Sequence, residues 1–346
     1  MIQLVSNYCR DLVRWSLSGW NRFWFSPEDP ATLCLIRILA GSMLLYTHLV
    51  WSIGLEDFFL PTGWISPAAA GSAQPDPFAW SYFWWINTPG PLWSAHLAAL
   101  LAFACLTLGL FTRVASVVSF LAAVSYVNRV PGAQFGLDQI NGMLALYLMV
   151  GPCGACYSLD RWRAGPRGAA AEPVPPSVSA NLAVRLIQVH MCVIYFFAGL
   201  SKLQGETWWR GDAMWGAVAN LEYQSWDLTW LATWPLTIAV LTHVTVFWEL
   251  WFCALVWVPK LRPLVLALAI PLHMGIALGM GMITFGLIML VGCLSFVSPR
   301  LVRRVLEGAE WDDCRGAGEG VRAAEAAATR PQQRRRPPAA RATRLV

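Results

Sequence analysis

Residues 181–202 of the chain read NLAVRLIQVHMCVIYFFAGLSK, a predominantly apolar segment that ends at Lys202. A helix of about 20 apolar residues crosses the hydrocarbon core of a bilayer, and this segment has that length. Because lipid offers no hydrogen bonds, a spanning segment must pair its own backbone groups, which favours a helix. We therefore predict a transmembrane helix here, with an amine at its end.

The whole chain is also predominantly apolar. Of its 346 residues, 57% are hydrophobic and 13% are charged, and the mean hydropathy is +0.49. That is more apolar surface than a soluble core can hide, so we predict an all-α, polytopic membrane helical bundle of about eight transmembrane helices. The eight candidate spans are 32–54, 92–111, 113–130, 137–156, 181–202, 234–258, 261–280 and 282–298.

Two segments flank this membrane domain, which we place at 26–304. Residues 1–25 interrupt their apolar side chains with Arg10, Asp11, Arg14 and Arg22, which is typical of an amphipathic interfacial helix and not of a cleavable signal peptide. Residues 305–346 are rich in Ala, Pro and Arg and poor in apolar residues, which predicts a disordered tail. Part of the net charge of +5 lies in that Arg-rich tail, so it does not indicate a nucleic-acid partner; the expected partner is the lipid bilayer.

The positive residues outside the tail alternate between connections. On one side they include Arg10, Arg14 and Arg22 before the first span, Arg113, then Arg161, Arg163 and Arg167, then Lys260 and Arg262, and finally Arg300, Arg303 and Arg304, whereas the turn between the third and fourth spans has Arg129 alone. The connection 55–91 holds acidic residues and no Lys or Arg. The positive-inside rule therefore predicts that both termini are cytoplasmic and that Lys202 is extracytoplasmic.

The connection 55–91 is long, rich in Trp and broken by prolines. Such a segment can lie along the membrane surface as a lid, or it can be a plain belt of interfacial aromatics. Cys153 and Cys156 have a suggestive spacing, but no second pair completes a zinc site, which favours packing over a metal or redox role. No metal is expected.

Ionisable groups inside the predicted spans are costly, so each needs a reason. Arg37 can snorkel to the interface or pair with a carboxylate. Glu249 and His243 are six residues apart and do not share a helix face, so Glu249 requires contact with another helix. His190 and His273 add two polar groups at membrane depth; each taken alone is more often a hydrogen-bonded structural residue than a catalytic one.

Lys202 has two readings. In a pocket of low dielectric constant the charged form of a lysine is disfavoured, so its neutral amine becomes a usable base. Trp208, Trp209 and Trp215, with nearby glycines, provide the materials of such a pocket. Alternatively, Lys202 snorkels to the interface at the end of a helix.

The segment YFFAGLSKL, followed by WWRGDAM, resembles the active-site segment of the vitamin K-dependent gamma-glutamyl carboxylases. Four other stretches fit that family in order: SPEDPATLCLIRILAG, LGLFTR, NGMLALYLM and HMGIALGMGMITFGLIML. The resemblance covers roughly 26–304 and extends to the broader horizontally transferred transmembrane domain family. Because that family has small bacterial members, the resemblance implies a location in a bacterial inner or cell membrane.

The resemblance implies a chemistry. A lysine of the carboxylase motif deprotonates vitamin K hydroquinone, oxygen turns the anion into a stronger base, and that base prepares a substrate glutamate for carboxylation. Lys202 matches this lysine, and His273 matches a membrane histidine of the family. The residues that would bind a reduced, vitamin K hydroquinone-like quinone are Arg37, Tyr195, Trp208, Trp209, His190, His243 and Glu249.

The chain also departs from the carboxylases. Ser201 and Lys202 stand where they have two lysines, and AQFGLDQING lacks the histidine of their Asn-His pair. The carboxylases continue into a large extracytoplasmic domain, whereas this chain continues into an Arg-rich tail, so a separate extracytoplasmic substrate protein would be needed.

Two function hypotheses result. The first is an enzyme-like membrane protein that binds a quinol or similar lipid-soluble ligand, with Lys202 as general base and His273 as its polar partner. The alternative is a non-catalytic membrane protein that supports a partner or confers immunity. A transporter is disfavoured because the sequence shows no internal repeat.

Overall fold

The computed structural model describes residues 2–73, 78–165, 174–223 and 225–308, and most of them are helical. Within these ranges there is no β-strand, only an isolated bridge between Glu28 and Ser177. The predicted all-α fold class is confirmed. In chain order the helices are α1 (Ile2–Phe25), α2 (Ala31–Trp51), α3 (Leu55–Phe59), α4 (Pro67–Ala73), α5 (Pro89–Leu108), α6 (Thr112–Arg129), α7 (Gly136–Val150), α8 (Leu159–Ala164), α9 (Val178–Lys202), α10 (Glu206–Arg210), α11 (Ala213–Val218), α12 (Pro235–Leu255), α13 (Arg262–Gly279), α14 (Ile283–Cys293) and α15 (Pro299–Glu307).

Each of the eight candidate spans contains one helix of the bundle. Five segments of the described chain are long and apolar enough to cross a membrane by themselves, or up to six if a bent pair is counted as one span. The five are Ala31–Phe59, α5, α9, α12 and α13. The other three helices, α6, α7 and α14, have 18, 15 and 11 residues. The chain is therefore an integral membrane protein, with a span count lower than eight by this measure.

Short turns join consecutive helices. Gly109 ends α5 with φ 69°, in the left-handed region that favours glycine, and α6 begins at Thr112. Asp160 of α8 caps the start of α6, because its carboxylate accepts hydrogen bonds from the Phe111 and Thr112 amides at 2.9 and 2.7 Å. The segment after α7 is thereby fastened to the α5–α6 turn.

The bundle has two ends. One holds the α5–α6 turn, the connection 151–158 and the start of α2, and the buried Arg37 contacts the first two of these. The other holds the ends of α2, α6 and α9 and the start of α12. We call them the Arg37 end and the Lys202 end.

Two hydrophobic clusters form the core, and α2 and α7 contribute to both. The first lies among α7, α9, α12, α13 and α14 and includes Tyr195, Trp248 and Phe252. The second lies among α2, α3, α5 and α6 and is built on Phe103 and Tyr126. The candidate functional side chains border the first cluster.

The connection between α3 and α5 is packed onto α6 over its described part. Ser81 is buried and donates a hydrogen bond to the Ser125 carbonyl, 2.8 Å away, and Arg129 Nη2 donates to the Ile65 carbonyl at 2.9 Å. Trp64 and Phe78 remain exposed. The segment is therefore partly packed on α6 and partly exposed, and the choice between a lid and a belt of interfacial aromatics stays a prediction.

The two flanking segments are helical where they are described. α1 is mostly exposed and is tied to α9 because Asn181 Nδ2 donates to the Phe23 and Trp24 carbonyls. α15, taken by itself, carries Arg300, Arg303 and Arg304, and Arg303 pairs with Glu307 at 2.8 Å. The interfacial position of residues 1–25 stays a prediction, and the predicted disordered tail lies outside the described residues from 309 onward.

Candidate functional site

The candidate site forms where α9 and α12 pack closely together. A Cβ atom at Gly199 would lie 2.8 Å from Leu250 Cγ and 3.0 Å from the Leu250 backbone nitrogen, so only glycine permits this approach. The close approach brings the end of α9 next to the middle of α12. Lys202 and Glu249, 47 residues apart in sequence, meet there.

Lys202 and Glu249 form an ion pair. Lys202 Nζ donates a hydrogen bond to Glu249 Oε1 at 2.9 Å and lies 2.7 Å from Oε2. The lysine side chain is 22% exposed and that of the acid 9%. Lys202 Nζ also lies 5.3 Å from the centroid of the Trp208 ring, within the range of a cation–π contact. Lys202 Nζ therefore contacts both a carboxylate and an indole face.

A second polar group lies deeper on the same side of α9. The Tyr195 hydroxyl is 2.7 Å from His273 Nε2 and 3.3 Å from Cys293 Sγ, and all three residues are buried. The Trp248 and Phe252 rings enclose Tyr195, with centroids 4.8 and 4.4 Å from its own. Tyr195 is seven residues before Lys202, which is about 10 Å along the helix axis. His273 thus bonds Tyr195, and Lys202 takes Glu249 as its partner.

The remaining candidate residues lie apart from this pair. His190 Nδ1 is 3.0 Å from the Tyr147 hydroxyl, in a contact between α9 and α7. His243 is exposed and its Nδ1 bonds the Ala239 carbonyl of its own helix at 2.8 Å. Trp209 is exposed and donates to the Leu203 carbonyl at 2.7 Å. The structure therefore joins Lys202 with Glu249 and Trp208, and Tyr195 with His273.

Arg37 lies at the opposite end of the bundle. It is completely buried, and its guanidinium donates to four backbone carbonyls, of Leu106, Thr107, Cys153 and Tyr157, at 2.6, 2.8, 2.9 and 2.5 Å. The sequence led us to expect snorkelling or a carboxylate partner, and the structure shows neither. The Leu106 carbonyl also accepts from the Gly109 amide at 3.2 Å, so the guanidinium adds to the helix cap there and joins it to the 151–158 connection with its remaining donors.

A polar cluster near α2, α5 and α6 was missed in the sequence. His96 Nδ1 is 2.5 Å from the Tyr126 hydroxyl and its Nε2 is 2.8 Å from Ser52 Oγ. His48 and Asn141 line a neighbouring cavity of about 20 Å³, enough for about one water molecule. Asn141 Oδ1 is buried without a protein partner. The sequence signal for this cluster was the presence of two further histidines, His48 and His96, within or near the predicted spans. The partners of His96 lie on other helices, so the sequence did not show the cluster.

Metal-binding residues are not gathered in this structure. Over the described residues, no group of three or more His, Cys, Asp or Glu side chains is placed to hold a metal ion. Cys153 and Cys156 are buried and form no disulfide, and the Cys156 amide donates to Cys34 Sγ at 3.2 Å. The CxxC spacing therefore corresponds to a packed segment beside α2.

Comparison with known proteins places this arrangement in a family. A family model described as the HTTM domain matches residues 25–301, which is most of the chain. Neither the curated proteins nor the solved structures include a match. The HTTM domain is the membrane domain found in vitamin K-dependent carboxylases. With the helical membrane bundle and this match together, the chain belongs to the HTTM domain family.

Proposed function

We propose that the protein binds a quinol or a related lipid-soluble ligand at the Lys202 end and that Lys202 acts as its general base. The Lys202–Glu249 pair is the observation that carries the proposal. A base must be open to its ligand while its proton partner is held in place. The lysine, 22% exposed, meets the first requirement, and the largely buried Glu249 meets the second.

The residues around the pair fit a quinol. A bound quinol supplies a hydroxyl proton together with reducing electrons. Trp208 offers an aromatic face beside Lys202 Nζ, and the exposed Trp209 lies next to it in α10. Aromatic side chains and one or two polar groups are the usual composition of sites for apolar ring ligands.

Glu249 gives the pair a way to free the amine. Burial penalises separated charges, and the transfer of one proton from Lys202 Nζ to Glu249 removes both charges at once. The lone pair of Nζ then accepts a proton from the ligand. The deeper Tyr195–His273 hydrogen bond links α9 with α13.

Sidedness and partners belong to the same proposal. The distribution of arginines supports cytoplasmic termini in a bacterial inner or cell membrane, which puts Lys202 on the extracytoplasmic side. A separate extracytoplasmic substrate protein would then meet the ligand there. Reporter fusions after residues 70, 165, 215 and 340 should report outside, inside, outside and inside; the same side for 165 and 215 contradicts this topology.

The test uses the fact that Lys202 and Lys260 are the only lysines. Full-length protein in nanodiscs is treated with a small amine-acylating reagent, with or without a reduced short-chain quinone, and both lysines are quantified by mass spectrometry. The quinol should slow the acylation of Lys202 and leave that of Lys260 unchanged. Lys202→Ala should abolish quinol binding while Lys260→Ala keeps it.

Equal acylation of Lys202 with and without quinol, together with unchanged quinol binding by Lys202→Ala, would contradict the proposal. The pair would then be a structural ion pair. In that case the alternative from the sequence, a non-catalytic membrane protein, would be preferred.

A further inference from the structure

A groove at the Arg37 end lies outside the proposed quinol site. It has a volume of about 540 Å³ and runs between α2, α5 and α8. Ile38, Leu108, Leu159 and Trp162 provide its apolar walls. Sites for small ligands measure roughly 300–1,000 Å³, so the groove is large enough for a flexible hydrocarbon chain.

The groove has a rigid floor. Thr107 and Tyr157 line it, and their carbonyls are both bound by the buried Arg37 guanidinium, at 2.8 and 2.5 Å. Asp160 fastens α8 to the start of α6, and its own amide donates to the Gly109 carbonyl at 2.9 Å. The walls contributed by α5 and α8 are therefore held at a fixed separation, so a bound chain does not have to order them.

The walls are exposed although they are apolar. Leu108 is 55% exposed and Trp162 59% exposed. In an integral membrane protein, apolar surface beside the helix ends faces lipid, and tryptophan prefers the headgroup region. Exposed apolar walls that include a tryptophan suit the level where the acyl chain of a phospholipid joins its headgroup.

The charge beside the groove is positive. Arg161 and Arg163 flank Trp162 in the sequence of α8, and the Arg163 guanidinium lies 5.9 Å from the Phe111 ring. Asp160 is the acidic residue of α8; its carboxylate accepts from the Phe111 and Thr112 amides and from the Thr112 hydroxyl, and it interacts with the charge of Arg163, so the two arginines leave α8 with a net positive charge. A basic cluster beside apolar surface is complementary to an anionic lipid headgroup.

We propose that this groove binds a phospholipid with an anionic headgroup, one acyl chain lying between Leu108 and Trp162 and the headgroup against Arg161 and Arg163. The site is independent of the proposed quinol site. It adds a specific lipid to the general membrane environment of the bundle.

The experiment is native mass spectrometry of the delipidated full chain in detergent, titrated with phosphatidylglycerol or with phosphatidylcholine of the same acyl chains. Phosphatidylglycerol should bind more tightly. The double variant Arg161→Gln/Arg163→Gln should weaken its binding about tenfold. Leu108→Trp, which fills the groove without a change in charge, should weaken the binding of phosphatidylglycerol too.

Two controls separate the groove from general effects. Arg10→Gln/Lys260→Gln removes two exposed charges elsewhere and should bind as the unaltered protein does. Lys202→Ala should also retain lipid binding, whatever happens to the quinol. Equal binding of the two lipids, or phosphatidylglycerol binding that neither the arginine variant nor Leu108→Trp reduces, would show annular lipid only and overturn the proposal. Thermal unfolding of each variant verifies that it is folded.

Discussion

Arg37 and Lys202 are two cations at opposite ends of one bundle, and their surroundings differ in kind. Arg37 is completely buried and its partners are four neutral carbonyls. Lys202 is partly exposed and its partner is the carboxylate of Glu249. The first site keeps a full positive charge, while the second is neutral as a pair.

The difference indicates which cation has chemistry available to it. An arginine stays protonated, and at Arg37 four of its donor contacts hold α2, α5 and the 151–158 connection together. A lysine paired with an acid can exchange one proton within the pair and still leave no net charge behind. The Arg37 end is therefore a rigid support, and the Lys202 end is where proton transfer is possible.

The largest expected effect comes from Arg37→Leu. It removes four hydrogen bonds from a charged donor to carbonyls, and at about 1 kcal/mol or more for each bond the loss should be about 4 kcal/mol. Arg37→Lys should also destabilise the protein, because the compact ammonium group of lysine cannot replace the planar, five-donor guanidinium. Folded yield and thermal unfolding in detergent measure the change.

Arg262 offers the matched control for Arg37. It is partly buried, and its Nε donates to a single carbonyl, that of Val256, at 2.9 Å. Arg262→Leu should cost only about 1 kcal/mol. Similar losses at Arg37 and Arg262 would remove the distinction between the two ends of the bundle.

A smaller effect is expected for Glu249. Glu249→Leu leaves Lys202 without its carboxylate, which should cost about 2 kcal/mol, less than for a fully buried pair because the lysine reaches solvent. Glu249→Gln should cost less than Glu249→Leu, since the amide keeps a hydrogen-bonding end. Glu206, in an exposed pair with Arg210, is the control and should tolerate Leu. Equal, undiminished yields for both Glu249 variants would show that the pair is peripheral.

Asp160 tests how firmly the Arg37 end is fastened. Burial acts to raise the pKa of Asp160, but the hydrogen bonds from Thr112 and Phe111 outweigh it, so its pKa is lowered. A lowered folded-state pKa means that the stabilisation is complete above the unfolded pKa of about 4 and is lost as the pH falls below it. Asp160→Asn should cost about 1 kcal/mol at pH 7, as for the loss of a helix cap.

The cost of Asp160→Asn should shrink in acid, because the protonated Asp160 of the unaltered protein loses the same interactions. Thermal unfolding of both proteins at pH 7 and near pH 3 measures this. A difference between them that is constant across that range would contradict the assignment of Asp160 as an ionised cap.

The smallest effect is expected at His243. It is exposed, and its Nδ1 bonds a carbonyl of its own helix, that of Ala239. His243→Ala should change stability by less than about 0.5 kcal/mol and leave quinol binding intact. Loss of quinol binding in this variant would show that the candidate site extends beyond the Lys202–Glu249 pair.

The helices could be predicted from the sequence because a membrane helix forms its backbone hydrogen bonds within its own segment. Each apolar run therefore indicated its own helix, and the fold class is confirmed. The number of spans was harder to predict from the sequence. The runs that became α6, α7 and α14 are short or more polar, and packing against neighbouring helices decides their extent.

The hydrogen-bond and ion-pair partners of polar residues could be predicted only in part. The position of Glu249 showed that it needs another helix, but not that Lys202 supplies the contact from 47 residues away. Arg37 finds acceptors that no side-chain pattern encodes, because they are backbone carbonyls at helix ends. The contact of His96 with Tyr126 depends in the same way on how α5 and α6 pack.

Gly199 carries no functional group, yet it bears on how this sequence can vary. The missing side chain lets α12 approach α9, and the Lys202–Glu249 contact lies one turn further along. A mutational scan should therefore find Gly199 less replaceable than the exposed Trp209 or His243. A search for distant relatives of the site should require a glycine three positions before the lysine, as well as the lysine and its acid.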